Sequence, residues 1–118
     1  MQIGTAFLVC SESAASDVHR EAILSPAARC TVLTRVFSGR LARGVPNRML
    51  RELSADARGP APFPAQNWLT GGIKAEAIAR GDGDLMSLWA GQTAPPAQRH
   101  PAAELMRELV RDAEALLG

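Results

Sequence analysis

Met1-Gln2-Ile3-Gly4-Thr5-Ala6-Phe7-Leu8-Val9 decides how this chain is read. After a polar start at Gln2 the run is continuously apolar, the pattern of a β-strand buried on both faces, as in parallel sheets. A soluble domain rarely begins on its own core strand. With no leader before it, the strand is expected to be the last piece of a larger fold, and the 118 residues a single partial domain. The run also carries donors. Gly4 lets backbone approach an anion, and successive N–H groups with the Thr5 hydroxyl suit a phosphate. Taken alone, the tetrapeptide Gln2 to Thr5 is more often a plain buried strand.

Composition narrows the function classes. Net charge is +1, so no global field draws the chain to nucleic acid or anionic lipid. Arg29 to Arg51 is a basic run, but Phe37 is its only aromatic and no docking motif surrounds it, so nucleic acid is not expected. No run approaches the ~18 apolar residues of a membrane helix. Ile3 to Cys10 lacks the preceding positive charge of a signal peptide. Val9 is too bulky for a lipoprotein cleavage site before Cys10. Two cysteines, Cys10 and Cys30, make neither a disulfide framework nor a zinc cluster, and are expected as free, mostly buried thiols in a reducing cytoplasm.

Further along, Ser13 is a candidate cap for a helix over Ala14 to Leu24, with Ala15, Val18, Ala22 and Ile23 on one face. Thr31 to Phe37 is β-branched and predicts a second strand, and Leu41 to Val45 either pairs back on it or continues as loop. Pro46 marks a helix start, and Met49, Leu50 and Leu53 form its apolar stripe. Arg58 to Pro64 reads as a stiff connector. Gln66 to Arg80 is helical, interrupted at Gly71-Gly72 and stopped by Gly81. Asp84 would cap a short helix from Leu85 to Ala90 that ends at Gly91. Thr93 to His100 is a loop. Pro101 opens the clearest helix, whose stripe of Leu105, Met106, Leu109, Val110, Ala113, Leu116 and Leu117 must cover something, the flank of the first strand being the nearest choice.

Five motifs occur in order: Gln2-Ile3-Gly4-Thr5-Ala6-Phe7-Leu8; Thr31-Val32-Leu33-Thr34; Ser38-Gly39-Arg40-Leu41-Ala42-Arg43-Gly44 with Asn47; Gln66-Asn67 with Leu69-Thr70; and Ser87-Leu88-Trp89-Ala90-Gly91-Gln92. Together they resemble the carboxyl-terminal third of the nitronate monooxygenases, formerly called 2-nitropropane dioxygenases, from residue 2 to about residue 110. The resemblance implies an FMN-dependent enzyme built on a TIM-type (β/α)8 barrel with a smaller α/β domain. Such an enzyme oxidises alkyl nitronates with dioxygen to carbonyl compounds and nitrite. It implies that Gln2, Ile3, Gly4 and Thr5 match the last-strand segment that contacts the FMN phosphate.

The same resemblance places the family's catalytic histidine ahead of this chain, so no catalytic residue is assigned within it. His19 reads as a solvated surface residue and His100 as a helix-start residue; no triad or metal-ligand spacing exists. The arginines of Ser38 to Gly44 have two readings, clamping an anionic group or binding backbone carbonyls or a carboxylate. Trp89 to Gln92 either borders the flavin pocket or plugs the core.

The expected architecture is α+β, a fragment of a TIM-type barrel flavoenzyme: residues 1–10 as the last barrel strand, 11–98 as a small α/β subdomain and 99–118 as the C-terminal amphipathic helix. The complete enzyme would take a small nitronate and O2. The isolated chain, without roughly seven barrel strands, is expected to be inactive, not to retain FMN, and to self-associate through its exposed first strand. Two other readings stand beside it: a non-enzymatic truncated remnant or interaction module, and a related FMN enoyl reductase.

Overall fold

The computed structural model describes residues 3–92, 94 and 97–118. The opening run departs from expectation. Gly4–Leu8 is a short helix, α1, and not a barrel strand; Met1 and Gln2 lie outside the described residues. A short apolar run fits a buried strand and a buried helical turn equally, and periodicity does not separate them. Here no strand of the described chain lies alongside to pair with it, so the backbone satisfies itself locally. Thr5 and Val9, one helical turn apart, face inward.

Helix α2 spans Asp17–Leu24 and starts three residues later than Ser13 suggests. Ser16 is the cap, accepting the His19 N–H, while the Ser13 hydroxyl accepts the Ala15 N–H in a local turn. Ile23 is buried at the centre of its apolar face. A 3₁₀ turn over Pro26–Cys30 leads into β1, Val32–Thr34, which pairs antiparallel with β2, Ala42–Gly44. The segment after Thr31 does pair back, but β1 ends at Thr34, whose hydroxyl accepts the Val36 N–H and turns the chain. That bend sends Val36 and Phe37, which a continuous strand would point to opposite faces, into the same core.

Helix α3, Arg48–Ser54, carries the expected Met49-Leu50-Leu53 stripe, but Asn47 caps it. Helices α4, Ala65–Leu69, and α5, Gly71–Arg80, break at Thr70, and α5 ends at Gly81. The helix expected from Leu85 to Ala90 is absent. Gly83–Leu85 is a 3₁₀ turn capped by Asp82, and Leu88 to Ala90 runs extended along β2. Val45 N–H donates to Leu88 O at 2.8 Å, and Ala90 N–H to Arg43 O at 3.1 Å. Gly44 makes this approach possible: a Cβ there would sit 2.8 Å from Leu88 O and 2.9 Å from Phe37 Cε2. Of the loop expected over Thr93 to His100, Thr93, Pro95 and Pro96 lie outside the described residues.

Two apolar clusters result. One gathers Val9, Ile23, Val45, Ala77, Met86 and Leu88 between α1, α2, α5 and β2; the other packs Val36, Phe37 and Met49. Helix α6, Ala102–Leu117, forms as expected but buries none of its residues: Leu105 and Leu109 are half-buried, and Met106, Val110, Leu116 and Leu117 are exposed. The unit is a partial α+β body with a two-stranded sheet.

Candidate functional site

An open pocket of about 490 Å³ lies where three of the five motifs meet. Gly4, Thr5 and Leu8 form one wall, Ala42 and Arg43 a second, and Trp89, Ala90 and Gly91 the third. The joins are hydrogen-bonded. Thr5 Oγ1 accepts the Gly91 N–H at 2.8 Å, tying α1 to the extended Trp89 segment. That segment is fixed to β2 through the Gly44–Trp89 bridge.

Of the residues expected at a phosphate, Gly4 and Thr5 line this pocket; Ile3 precedes α1 without a side-chain cap, and Gln2 lies outside the described residues. Gly4 is exposed, and a Cβ there would meet no atom within 4 Å. A ligand can therefore approach the backbone freely at this point. Thr5 is buried and its oxygen already accepts one bond, which leaves its O–H as a donor.

The arginines divide. Arg43 Nη1 donates to Thr31 O at 2.7 Å, the backbone-binding reading, and the residue also lines the pocket. Arg40 lies 4.3 Å over the Phe63 ring. The turn just before Arg40 depends on Gly39, whose φ of +91° and close packing against Pro62 and Phe63 leave no room for a side chain. Trp89 packs edge-on to Phe37, with centroids 5.0 Å apart, as its core reading has it, and it also lines this pocket.

Other motif residues hold the fold. Asn47 is buried; its Oδ1 accepts the Leu50 N–H, and its Nδ2 donates to Gly83 O at 2.9 Å and Met86 O at 2.7 Å. Gln66 accepts from Ala61 N–H and donates to Val36 O. Both side chains are paired, as buried amides must be.

His19 is not a free surface group. Its Nε2 lies 2.8 Å from Trp89 O, and since a carbonyl only accepts, that nitrogen carries the proton. His100 does stand just before α6, and its backbone oxygen accepts the Ser11 N–H. His100 and, on the first two turns of α6, Glu104 and Glu108 lie close together, and such exposed acidic groups are common without a metal. Both cysteines are free; Cys10 is buried as expected, its thiol pushed up by burial and then by Glu12, whereas Cys30 is exposed. Lys74, the chain's single lysine, lies outside the five motifs. Its ammonium donates to Phe37 O at 3.1 Å and to Asn67 Oδ1 at 2.7 Å, which ties α5 to α4 and to the Phe37 turn.

Residues 1–112 match the family model for nitronate monooxygenase. The chain belongs to that family. A nitronate monooxygenase from Pseudomonas aeruginosa is 45% identical over 113 residues, covering 95% of this chain and 32% of the relative. A probable nitronate monooxygenase from Staphylococcus aureus (strain Newman) is 38% identical over 99% of this chain and 33% of its own length. Among solved structures, a nitroalkane oxidase from Streptomyces ansochromogenes superposes with a TM-score of 0.88 at 39% identity, across 99% of this chain and 34% of that one. FabK from Thermotoga maritima shares the fold at 21% identity, with a TM-score of 0.71, over 96% of this chain and 36% of that one. The chain thus spans about a third of the length of the curated relatives it matches. No helix among the described residues is long and apolar enough to cross a membrane.

Proposed function

We propose that this nitronate monooxygenase unit contributes the phosphate end of an FMN site to a TIM-type barrel enzyme that oxidises alkyl nitronates with O2. The supporting observation is the convergence of the Gly4-Thr5, Arg43 and Trp89-Gly91 motifs on one open, mainly apolar pocket. The group fits the residues present. Unobstructed backbone at Gly4 and the Thr5 hydroxyl suit phosphate oxygens, and Trp89 and Leu8 offer apolar surface beside them. Gln2 and Ile3 are proposed to complete the contact. FMN, when bound, supplies the redox chemistry that converts a nitronate and O2 to a carbonyl compound and nitrite. The chain's own residues bind and position. No catalytic role is assigned within it, and proton transfer is proposed to fall to a histidine of the preceding sequence.

Free thiols and the family's soluble small-molecule chemistry support a cytoplasmic setting. Self-association through a first-strand edge loses its basis over Gly4–Leu8, which is helical. The α6 stripe is the apolar surface that remains for it.

The test is the full-length enzyme, purified and assayed for nitrite release from an alkyl nitronate, beside an enoyl thioester with reduced nicotinamide. Nitrite release with bound flavin supports the reading. Enoyl reduction in its place moves the enzyme to the reductase branch. Neither activity leaves the remnant or interaction-module reading.

A further inference from the structure

The Leu88 to Ala90 segment is clamped on both edges. Its inner edge pairs with β2 through Leu88 O and the Ala90 N–H. Neighbouring residues of an antiparallel pair turn their polar groups to opposite edges, so the Trp89 carbonyl faces away from β2. There the His19 Nε2–H donates to it at 2.8 Å. The sequence builds this contact from local parts. Ser16 Oγ accepts the His19 N–H and fixes the first turn of α2, while Val18 and Ile23 pack α2 into the larger apolar cluster. The imidazole is half-buried and rotates about only two bonds, so little freedom is lost in aiming it. His19 does not line the pocket proposed for the phosphate, whereas Trp89, Ala90 and Gly91 do. Its influence there must pass through Trp89. Two residues on, the Gly91 N–H donates to Thr5 Oγ1 at 2.8 Å, and that bond fixes the directions left to the Thr5 O–H.

We propose that His19 is a positioning residue for the flavin site. From α2 it pins the Trp89 carbonyl. The pinned segment holds the Gly91 N–H against Thr5, and Thr5, so oriented, presents its hydroxyl to the phosphate. Edge-on packing against Phe37 steadies the Trp89 ring but leaves its backbone free to shift, so the carbonyl needs an anchor of its own. This role rests on the FMN reading given above. It makes α2 the support of a pocket that no α2 residue lines.

FMN affinity is measured by reconstituting the full-length apoenzyme, native and with His19→Gln or His19→Asn. The two amides differ in reach: Gln places an N–H where the imidazole Nε2–H stands, and Asn falls one bond short. His19→Asn should weaken FMN about two- to tenfold, the scale of one hydrogen bond, and His19→Gln should recover most of it. Native affinity in His19→Asn, or equal losses in both variants, overturns the role. A merely structural histidine would act independently of Thr5. The double variant with Thr5→Val should therefore lose less than the two single losses combined, and additive losses overturn the chain of bonds. The geometry is read separately, without flavin, in the 15N-labelled 118-residue chain. The neutral His19 ring should carry its proton on Nε2, and the Ala90 and Gly91 amide resonances should move in His19→Asn and return in His19→Gln. An Nδ1–H tautomer, or amides indifferent to both variants, overturns the contact. A native full-length enzyme that binds no FMN removes the function proposed above and this role with it. Native binding beside an unaffected His19→Asn variant removes this role alone.

Discussion

Thr5 and Gly91 are joined across 86 residues by a 2.8 Å hydrogen bond, the threonine oxygen accepting the glycine N–H. Both residues lie in family motifs, and the bond holds the two ends of the candidate phosphate pocket together. Thr5→Val keeps the side chain's shape and deletes the acceptor. Leaving a partly buried N–H unpaired should cost about 1–3 kcal/mol. Thr5→Ser, which restores the oxygen, should recover most of it. Urea midpoints of the native chain and the two variants check this. A midpoint unchanged by Thr5→Val would remove the bond's structural role.

Asn47 makes three hydrogen bonds through one buried side chain. It caps α3 and holds the Gly83 and Met86 carbonyls, so it positions the segment that carries Ser87 and Trp89. Asn47→Ala should lose the cap, about 0.5–2 kcal/mol, and strand two carbonyls besides. Asn47→Asp keeps the cap acceptor but turns a carboxylate oxygen toward two carbonyls. It should therefore rescue little, and urea unfolding that ranks the Asn47→Asp variant beside the native protein would contradict this.

The five motifs announce the family, and three of them supply the residues that line the pocket. Secondary structure is less legible where local signals are ambiguous. The apolar run at Gly4 to Leu8 suits strand or helix, and the absence of a neighbouring strand decides it. Asp84 has the local look of a cap for a following helix. It instead accepts the Arg48 N–H of α3, a contact 36 residues distant in sequence. Leu88 to Ala90 is extended because β2 offers it a free edge, which no local window shows. His19 likewise takes its role from Trp89, 70 residues away. Helix α6 is legible from sequence because its periodicity and proline start are local.

Two glycines should separate packing from ligand approach. Gly44→Ala forces a methyl against Leu88 O and Phe37, and should destabilise the chain by about 1–3 kcal/mol. At Gly4 a methyl meets nothing in the folded chain. Gly4→Ala should therefore leave the urea midpoint nearly unchanged, yet lower the flavin content of the full-length enzyme. A full flavin complement in that variant would argue against phosphate contact at Gly4.

Glu12 links α6 to the body. Both of its carboxylate oxygens lie 3.0 Å from the Ala102 N–H. That bond first, then the Ser11 hydroxyl, holds the carboxyl below its ordinary value of 4.5. A depressed folded-state pKa stabilises the attached state above the unfolded value and loses that stabilisation as pH falls through the folded one. Attachment of α6 should thus be intact above pH 4.5 and weaken on acidification below it. Amide exchange at Ala102 followed against pH measures this. Glu12→Gln should flatten the dependence, and an unchanged profile would assign it to another group.

The 118-residue chain alone should not retain FMN. The pocket proposed for the phosphate is open, with walls on three sides from α1, β2 and the Trp89 segment. A neutral hydrogen bond contributes about 0.5–1.5 kcal/mol net, whereas retention at micromolar concentration needs ~8 kcal/mol. The few donors at Gly4 and Thr5 fall well short, and the isoalloxazine ring needs enclosure that one open face does not provide. Purified chain should be colourless, and dialysis against added FMN should leave none bound. Supplying the preceding two thirds of the enzyme, on the same polypeptide, should restore both colour and nitrite release. Yellow protein from the isolated chain would show that the pocket encloses more of the cofactor than its three walls allow.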